Sequence, residues 1–201
     1  MRCTDLRPGD IMIQYSGGSA VARAITFGQW ARGLGHASLV HAGILFDNHY
    51  LVQALKDGIV ATDIRVDDVQ CAYEVYRPIK PNLAEGAANC AKMMLDIHAA
   101  HSTLKYSVVG AVTSLVGSAS VKSTTGMDDL LTDILGSKGH PFFCSQFVTY
   151  VYQFVAEQNG IAASQLFNVG DAKMSPAALA CSLDRNTGFF THVGFMRAGE
   201  R

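Results

Sequence analysis

The sequence predicts an α+β fold, an antiparallel sheet packed against helices, and three stretches carry that reading. Residues 37–64 read as strands broken by turn signals at Asp47-Asn48 and Asp57-Gly58. From Asn82 to His101 the apolar period changes to about 3.6, through Leu83, Ala87, Ala91, Met94, Leu95 and His98. Later, Phe143, Phe147, Val151 and Phe154 recur at helical spacing behind Gly139 and Pro141.

Composition sets the class. The chain has 201 residues, 49% of them apolar and 16% charged, so one domain over residues 1–201 with a substantial core is expected. A formal net charge of −1 builds no basic footprint, and nucleic acid is not an expected partner. No uninterrupted apolar run reaches the roughly 18 residues of a spanning helix. Arg2, Asp5, Arg7 and Asp10 break up the N-terminus before a secretory signal develops. Synthesis in the cytoplasm is therefore expected, with any export by a route that reads no cleaved signal.

The elements follow in order. Pro8-Gly9 turns into a short strand in which Ile11 and Ile13 share a face. Ser16-Gly17-Gly18-Ser19 is a loop before a helix over Ala20–Arg32; it lacks the lysine and glycine spacing of a phosphate cradle. Strands are expected over Ser38–Phe46, His49–Leu55, Ile59–Ile64 and Ala72–Tyr76, the last ended by Pro78 and Pro81. Asn82 is the expected cap of the next helix. Residues 107–126 admit a loop, a short helix or a flap, and Met127–Leu135 a short acidic helix. The helix bearing Cys144 is expected to run to about Gln158. Ser175-Pro176 opens another helix with a cap and a proline at its first position, and Gly188–Met196 is a last strand.

The five cysteines, Cys3, Cys71, Cys90, Cys144 and Cys181, are odd in number and widely spaced, with no CxxC pair. Neither a zinc knuckle nor a disulfide framework is implied. Cys144 differs from the others in sitting in the first turn of a helix, where unpaired N–H groups and the dipole favour a thiolate. The competing reading is one more small buried hydrophobe.

A cysteine nucleophile needs a base, and the base needs an orienting group. Of the seven histidines, His41 is the best candidate, because the apolar run Leu39–Leu45 would hold it in a strand. A hairpin turning through three residues around Asp47-Asn48 would place Gln53 directly opposite, with Cβ atoms about 5 Å apart. Gln53 is the polar exception in Leu51–Leu55, and its carbonyl can accept from an imidazole N–H and fix the tautomer. The pairing depends on register. His36 and His140 rank below His41 as bases. His98 and His101 lie one helical turn apart, but no third ligand of matching spacing accompanies them, so no metal or cofactor is expected.

Gly9-Asp10-Ile11, His41-Ala42-Gly43-Ile44, Gln53-Ala54 and Cys144-Ser145-Gln146-Phe147-Val148, in that order, resemble the permuted papain-like amidases. These are circularly permuted relatives of NlpC-type cell-wall cysteine peptidases, with lecithin–retinol acyltransferase a more distant cousin. The resemblance spans roughly residues 8–180 and includes Ser175–Leu179. It implies a papain-like, permuted NlpC-type fold and a catalytic set of Cys144, His41 and Gln53. The family often has Glu or His at the third position. Gln53 departs from that, and a neutral amide stabilises imidazolium less than a carboxylate does. Tyr106 resembles a tyrosine these families carry between the histidine and the cysteine. It and Tyr15 are the side-chain candidates for the oxyanion, each with a core or rim role as the alternative, and the Cys144 backbone N–H is a third donor.

The resemblance further implies a thiol peptidase acting on the peptide part of peptidoglycan through an acyl-enzyme. Some relatives are antibacterial effector toxins exported without a signal peptide into a target-cell periplasm, where an immunity or delivery protein becomes a conceivable partner. Two other readings use the same fold: a lipid acyltransferase or ester hydrolase built on the same Cys–His pair, and a catalytically inactive binding module.

Overall fold

Strand alternation sorts the apolar side chains of this chain onto two faces of one sheet. The computed structural model describes residues 2–17, 20–31, 33, 35–55, 58–67, 70–100, 144–167 and 174–198. Its strands are β1 (Ile11–Tyr15), β2 (Leu39–Leu45), β3 (Tyr50–Leu55), β4 (Gly58–Asp63), β5 (Ala72–Pro78) and β6 (Phe190–Arg197). Its helices are α1 (Ala20–Ala31), α2 (Pro81–Ala100), α3 (Cys144–Gln158), α4 (Ala163–Leu166) and α5 (Pro176–Arg185). The strands form a six-stranded sheet in the order β4-β3-β2-β1-β5-β6, every pair antiparallel.

Ile11, Ile13, Ala42, Ile44, Val52 and Ala54 face α2, α3 and α5 and join the main core with Leu83, Ala87, Phe147, Val151 and Leu179. Met12, Leu45, Leu51, Tyr73, Val75 and Met196 alternate with them and build a second core with Leu6 and Ile64. The α3 stripe is wider than the spacing of Phe147 and Val151 alone, because Val148, Tyr152 and Val155 are buried too. Each such side chain contributes roughly 1.5–3 kcal/mol by leaving water.

The start of β1 fastens these layers together. Gly9 has φ +85°, and a Cβ there would lie 2.3 Å from the Ala84 carbonyl oxygen, so the chain passes directly against the α2 backbone. Asp10 is fully buried and takes a two-pronged ion pair from Arg77, with Nη2 at 2.6 Å and Nε at 2.7 Å. The Arg7 N–H at 2.9 Å supplies a further donor to the same carboxylate, and the Tyr152 hydroxyl of α3 donates to the Gly9 carbonyl. The Gly9-Asp10-Ile11 motif is thus a structural hub.

Three expectations are corrected. Asn82 does not cap α2: Pro81 is already helical, its fixed φ suiting a first position, and the Asn82 amide donates to Asn159 Oδ1 at 2.7 Å. β5 runs two residues past Tyr76 and ends at Pro78, which is itself paired with Phe190 as the last step of the ladder. The third concerns register. Asp47 Oδ1 accepts from the N–H groups of His49 and Tyr50 at 2.8 and 2.9 Å, and Phe46 N–H bonds to the Tyr50 carbonyl, so residues 47–49 make the turn. Leu45 therefore pairs with Leu51 rather than with His49, two residues further along than expected, and His41 is not directly opposite Gln53. The expectations for 107–126 and Met127–Leu135 lie outside the described residues.

Candidate active site

Helix α3 begins at Cys144 and is held there from two sides. The Ser145 hydroxyl, fully buried, donates to the Met174 carbonyl just before α5, and Thr149 Oγ1 donates back to the Ser145 carbonyl at 2.8 Å. Cys144 is itself buried, at 6% exposure. Its sulfur meets the backbone of β2, where the Ala42 N–H donates to Sγ at 3.2 Å. This sulfur thus lies in the first described turn of α3 and accepts an N–H from the neighbouring strand.

Ala42 has an N–H to give because the β2–β3 ladder consists of Ile44↔Val52 and Leu45↔Leu51, leaving the seam unladdered at Ala42. Toward β1, the register slips between Gln14↔His41 and Tyr15↔Leu39, making Val40 a bulge. A bulge bends its strand and re-aims the neighbouring side chains, here those of His41 and Ala42.

His41 and Gln53 do meet, by a diagonal route. His41 Nε2 lies 2.6 Å from Gln53 Oε1. A shift of two residues preserves strand parity, so both side chains stay in one row, and the residue facing Gln53 in the extended register is Gly43. Having no side chain, Gly43 leaves the diagonal open; a Cβ there would lie 2.8 Å from the Val52 carbonyl oxygen and 2.9 Å from Leu51. On the far side Gln53 Nε2 donates to Thr62 Oγ1 of β4 at 2.6 Å. With Oε1 accepting, the imidazole carries its proton on Nε2, and Nδ1 is the nitrogen turned away from the amide.

Tyr15 points elsewhere. Its hydroxyl donates to Glu74, whose other oxygen lies 2.6 Å from His192 Nε2. Burial and the Glu74 carboxylate push the phenol up to about 12. His36 Nε2 contacts Asp184 at 2.8 Å, and Asp184 also accepts from Tyr76 at 3.0 Å. Tyr106, His101 and His140 lie outside the described residues. Among the described residues no group of three or more His, Cys, Asp or Glu side chains is placed to hold a metal ion. Among them, too, no helix is long and apolar enough to cross a membrane.

Three participants escaped the sequence reading. Ala42 contributes through its backbone, which no side-chain pattern signals. Thr62 is recognisable only once the β3–β4 register is known. Gln29 of α1, 4% exposed, donates to the Ala37 and Leu39 carbonyls at 2.9 and 2.7 Å and accepts from Ala177 N–H at 3.0 Å. Its sequence signal was an amide set between Phe27 and Trp30 in an otherwise uncharged stretch, Ile25–Trp30. It ties the approach to His41 to the start of α5.

No protein-family profile, curated protein or solved structure matches this chain.

Proposed function

We propose that this protein is a cysteine amidase or endopeptidase of permuted papain-like, NlpC-type fold, with Cys144 as nucleophile, His41 as base and Gln53 as orienting group. Two contacts on neighbouring residues of β2 support the reading. Ala42 gives its N–H to the Cys144 sulfur at 3.2 Å, and His41 Nε2 meets Gln53 Oε1 at 2.6 Å.

In the reaction, His41 takes the Cys144 proton on Nδ1 and the thiolate adds to the amide carbonyl carbon. The first-turn N–H groups of α3 serve the oxyanion. Collapse breaks the C–N bond, the imidazolium passes its proton to the leaving amine, and an acyl-thioester remains. Water, deprotonated by His41, then releases the acid and restores the thiol. The proposed substrate is a peptidoglycan stem peptide, which puts the site of action in a target-cell periplasm reached by export.

Muropeptide digestion read by mass spectrometry tests this. Wild type is expected to yield fragments gaining one water per cut, and Cys144→Ala and His41→Ala none, with both variants melting as folded proteins. Full cleavage by Cys144→Ala overturns the mechanism. A wild type that cleaves no muropeptide overturns the substrate.

A further inference from the structure

Gln53 is 6% exposed, and its amide sits between two partners, His41 Nε2 and Thr62 Oγ1, each at 2.6 Å. A primary amide in that position has two orientations, and they have opposite consequences. With the carbonyl toward His41, Nε2 bears a proton and Nδ1 is the basic nitrogen. With the NH2 toward His41, Nε2 must be the bare nitrogen and the proton sits on Nδ1. The second arrangement removes the base from the side away from Gln53. It also cannot coexist with an imidazolium, both of whose nitrogens are donors. In the state that follows proton transfer from Cys144 the carbonyl must face His41, and the NH2 must then find an acceptor on its other side.

Thr62 is that acceptor. It pairs with Leu51 across β3–β4, and Gln53 pairs with Val60, so the hydroxyl lies diagonally in the same row. A hydroxyl accepts through one lone pair while sending its own proton elsewhere, so it can receive the amide N–H. A buried NH2 without that oxygen would be left unsatisfied.

We infer that Thr62 is a positioning residue for His41, acting through Gln53: by accepting the amide N–H at the end of the chain His41–Gln53–Thr62, it supports the orientation that leaves the carbonyl to His41, and with it the Nε2–H tautomer. The inference rests on the reading of His41 as the base, and it extends the site to β4.

The test uses the full chain with ring-15N histidine and two substitutions at one position. In wild type and Thr62→Ser, which keeps the oxygen, the neutral His41 ring should be protonated at Nε2. In Thr62→Val, matched in shape but without the oxygen, the Nε2–H population should fall. The kcat/KM on a muropeptide should fall with it, roughly tenfold. A second background separates positioning from mere support. In the Gln53→Glu background either carboxylate oxygen accepts from Nε2 and there is no amide to orient, so Thr62→Val should there leave the Nε2–H population unchanged. Thermal melts confirm that each variant is folded. The inference is overturned if wild type is not protonated at Nε2, or if Thr62→Val leaves the tautomer unchanged. It is also overturned if Thr62→Val shifts the tautomer as much in the Gln53→Glu background as in wild type. A wild type that cleaves no muropeptide counts against the amidase reading alone, because the tautomer measurement still decides the role of Thr62.

Discussion

Single side chains in the site differ in how replaceable they are. In the proposed reaction His41 carries the proton in both half-reactions, so His41→Ala should lower kcat/KM by about 10⁴ or more, as loss of one member of a catalytic unit does. In the same proposal Gln53 reaches the chemistry only through His41, by one hydrogen bond of 2.6 Å. Gln53→Ala should therefore cost about 10–100-fold, measured in the same muropeptide assay, and the gap between the two variants is the signature of an orienting group. Tyr15 offers a contrast. Its hydroxyl proton is already directed to Glu74, and removing a true oxyanion donor costs about 10²–10³ in kcat. Tyr15→Phe is accordingly expected to change kcat by no more than about threefold. A loss of a hundredfold would put that hydroxyl on the oxyanion after all.

At the scale of elements, the seam between β2 and β3 depends on Gly43, and the junction of α1, β2 and α5 depends on Gln29. Gly43→Ala forces a Cβ to within 2.8 Å of the Val52 carbonyl oxygen, so the strands must part or the substituted residue must twist away. The expected cost is about 1–3 kcal/mol, the range for overpacking, read from urea midpoints. Gln29→Leu leaves the Ala177 N–H and the Ala37 and Leu39 carbonyls without their side-chain partner, at a cost on the order of 2 kcal/mol or more by the same measurement. These junctions also show what the sequence could and could not reveal. Alternation and turn residues located all six strands, and the Ser175 cap with Pro176 located α5, because those signals are local. Parity was legible for the same reason, so His41 and Gln53 were rightly assigned to one row. Register was not, since a slip of two residues leaves every side chain on its own face and the hydrophobic pattern cannot detect it. The Asp47 side chain chose the turn, and only that choice brought Gly43 opposite Gln53 and Thr62 within reach of the amide. Ala42 was invisible for a simpler reason: its contribution is a backbone N–H left over by an incomplete ladder.

For the whole molecule, the two cores carry ionisable groups that fold well only in their neutral forms. Cys90, 7% exposed on α2, is raised by burial from 9.0 to about 12. Tyr15 is raised from 10.0 to about 12, and burial also lifts Tyr76 and Tyr152 well above the ordinary phenol range. A folded pKa above the unfolded one means that the native state holds the proton more tightly. The associated stability is complete below the unfolded pKa and is lost as pH rises toward the folded value. For Cys90 that window opens near pH 9 and closes near 12. Within it one such group removes about 1.4 kcal/mol of stability per pH unit. Urea unfolding at pH 7, 9, 10 and 11 should thus give a nearly level stability up to pH 9 and a steep decline beyond it. Cys90→Ala should start lower at pH 7, by about 1 kcal/mol for the atom removed from the core. Above pH 9, however, its decline should be shallower by about 1.4 kcal/mol per pH unit, so the two curves converge and then cross. Parallel curves would mean that Cys90 ionises as readily in the folded chain as in the unfolded one. The thiol would then have access to water through the core between α2 and the sheet, and native-state alkylation of Cys90 at pH 9 would have to be as fast as that of an exposed thiol.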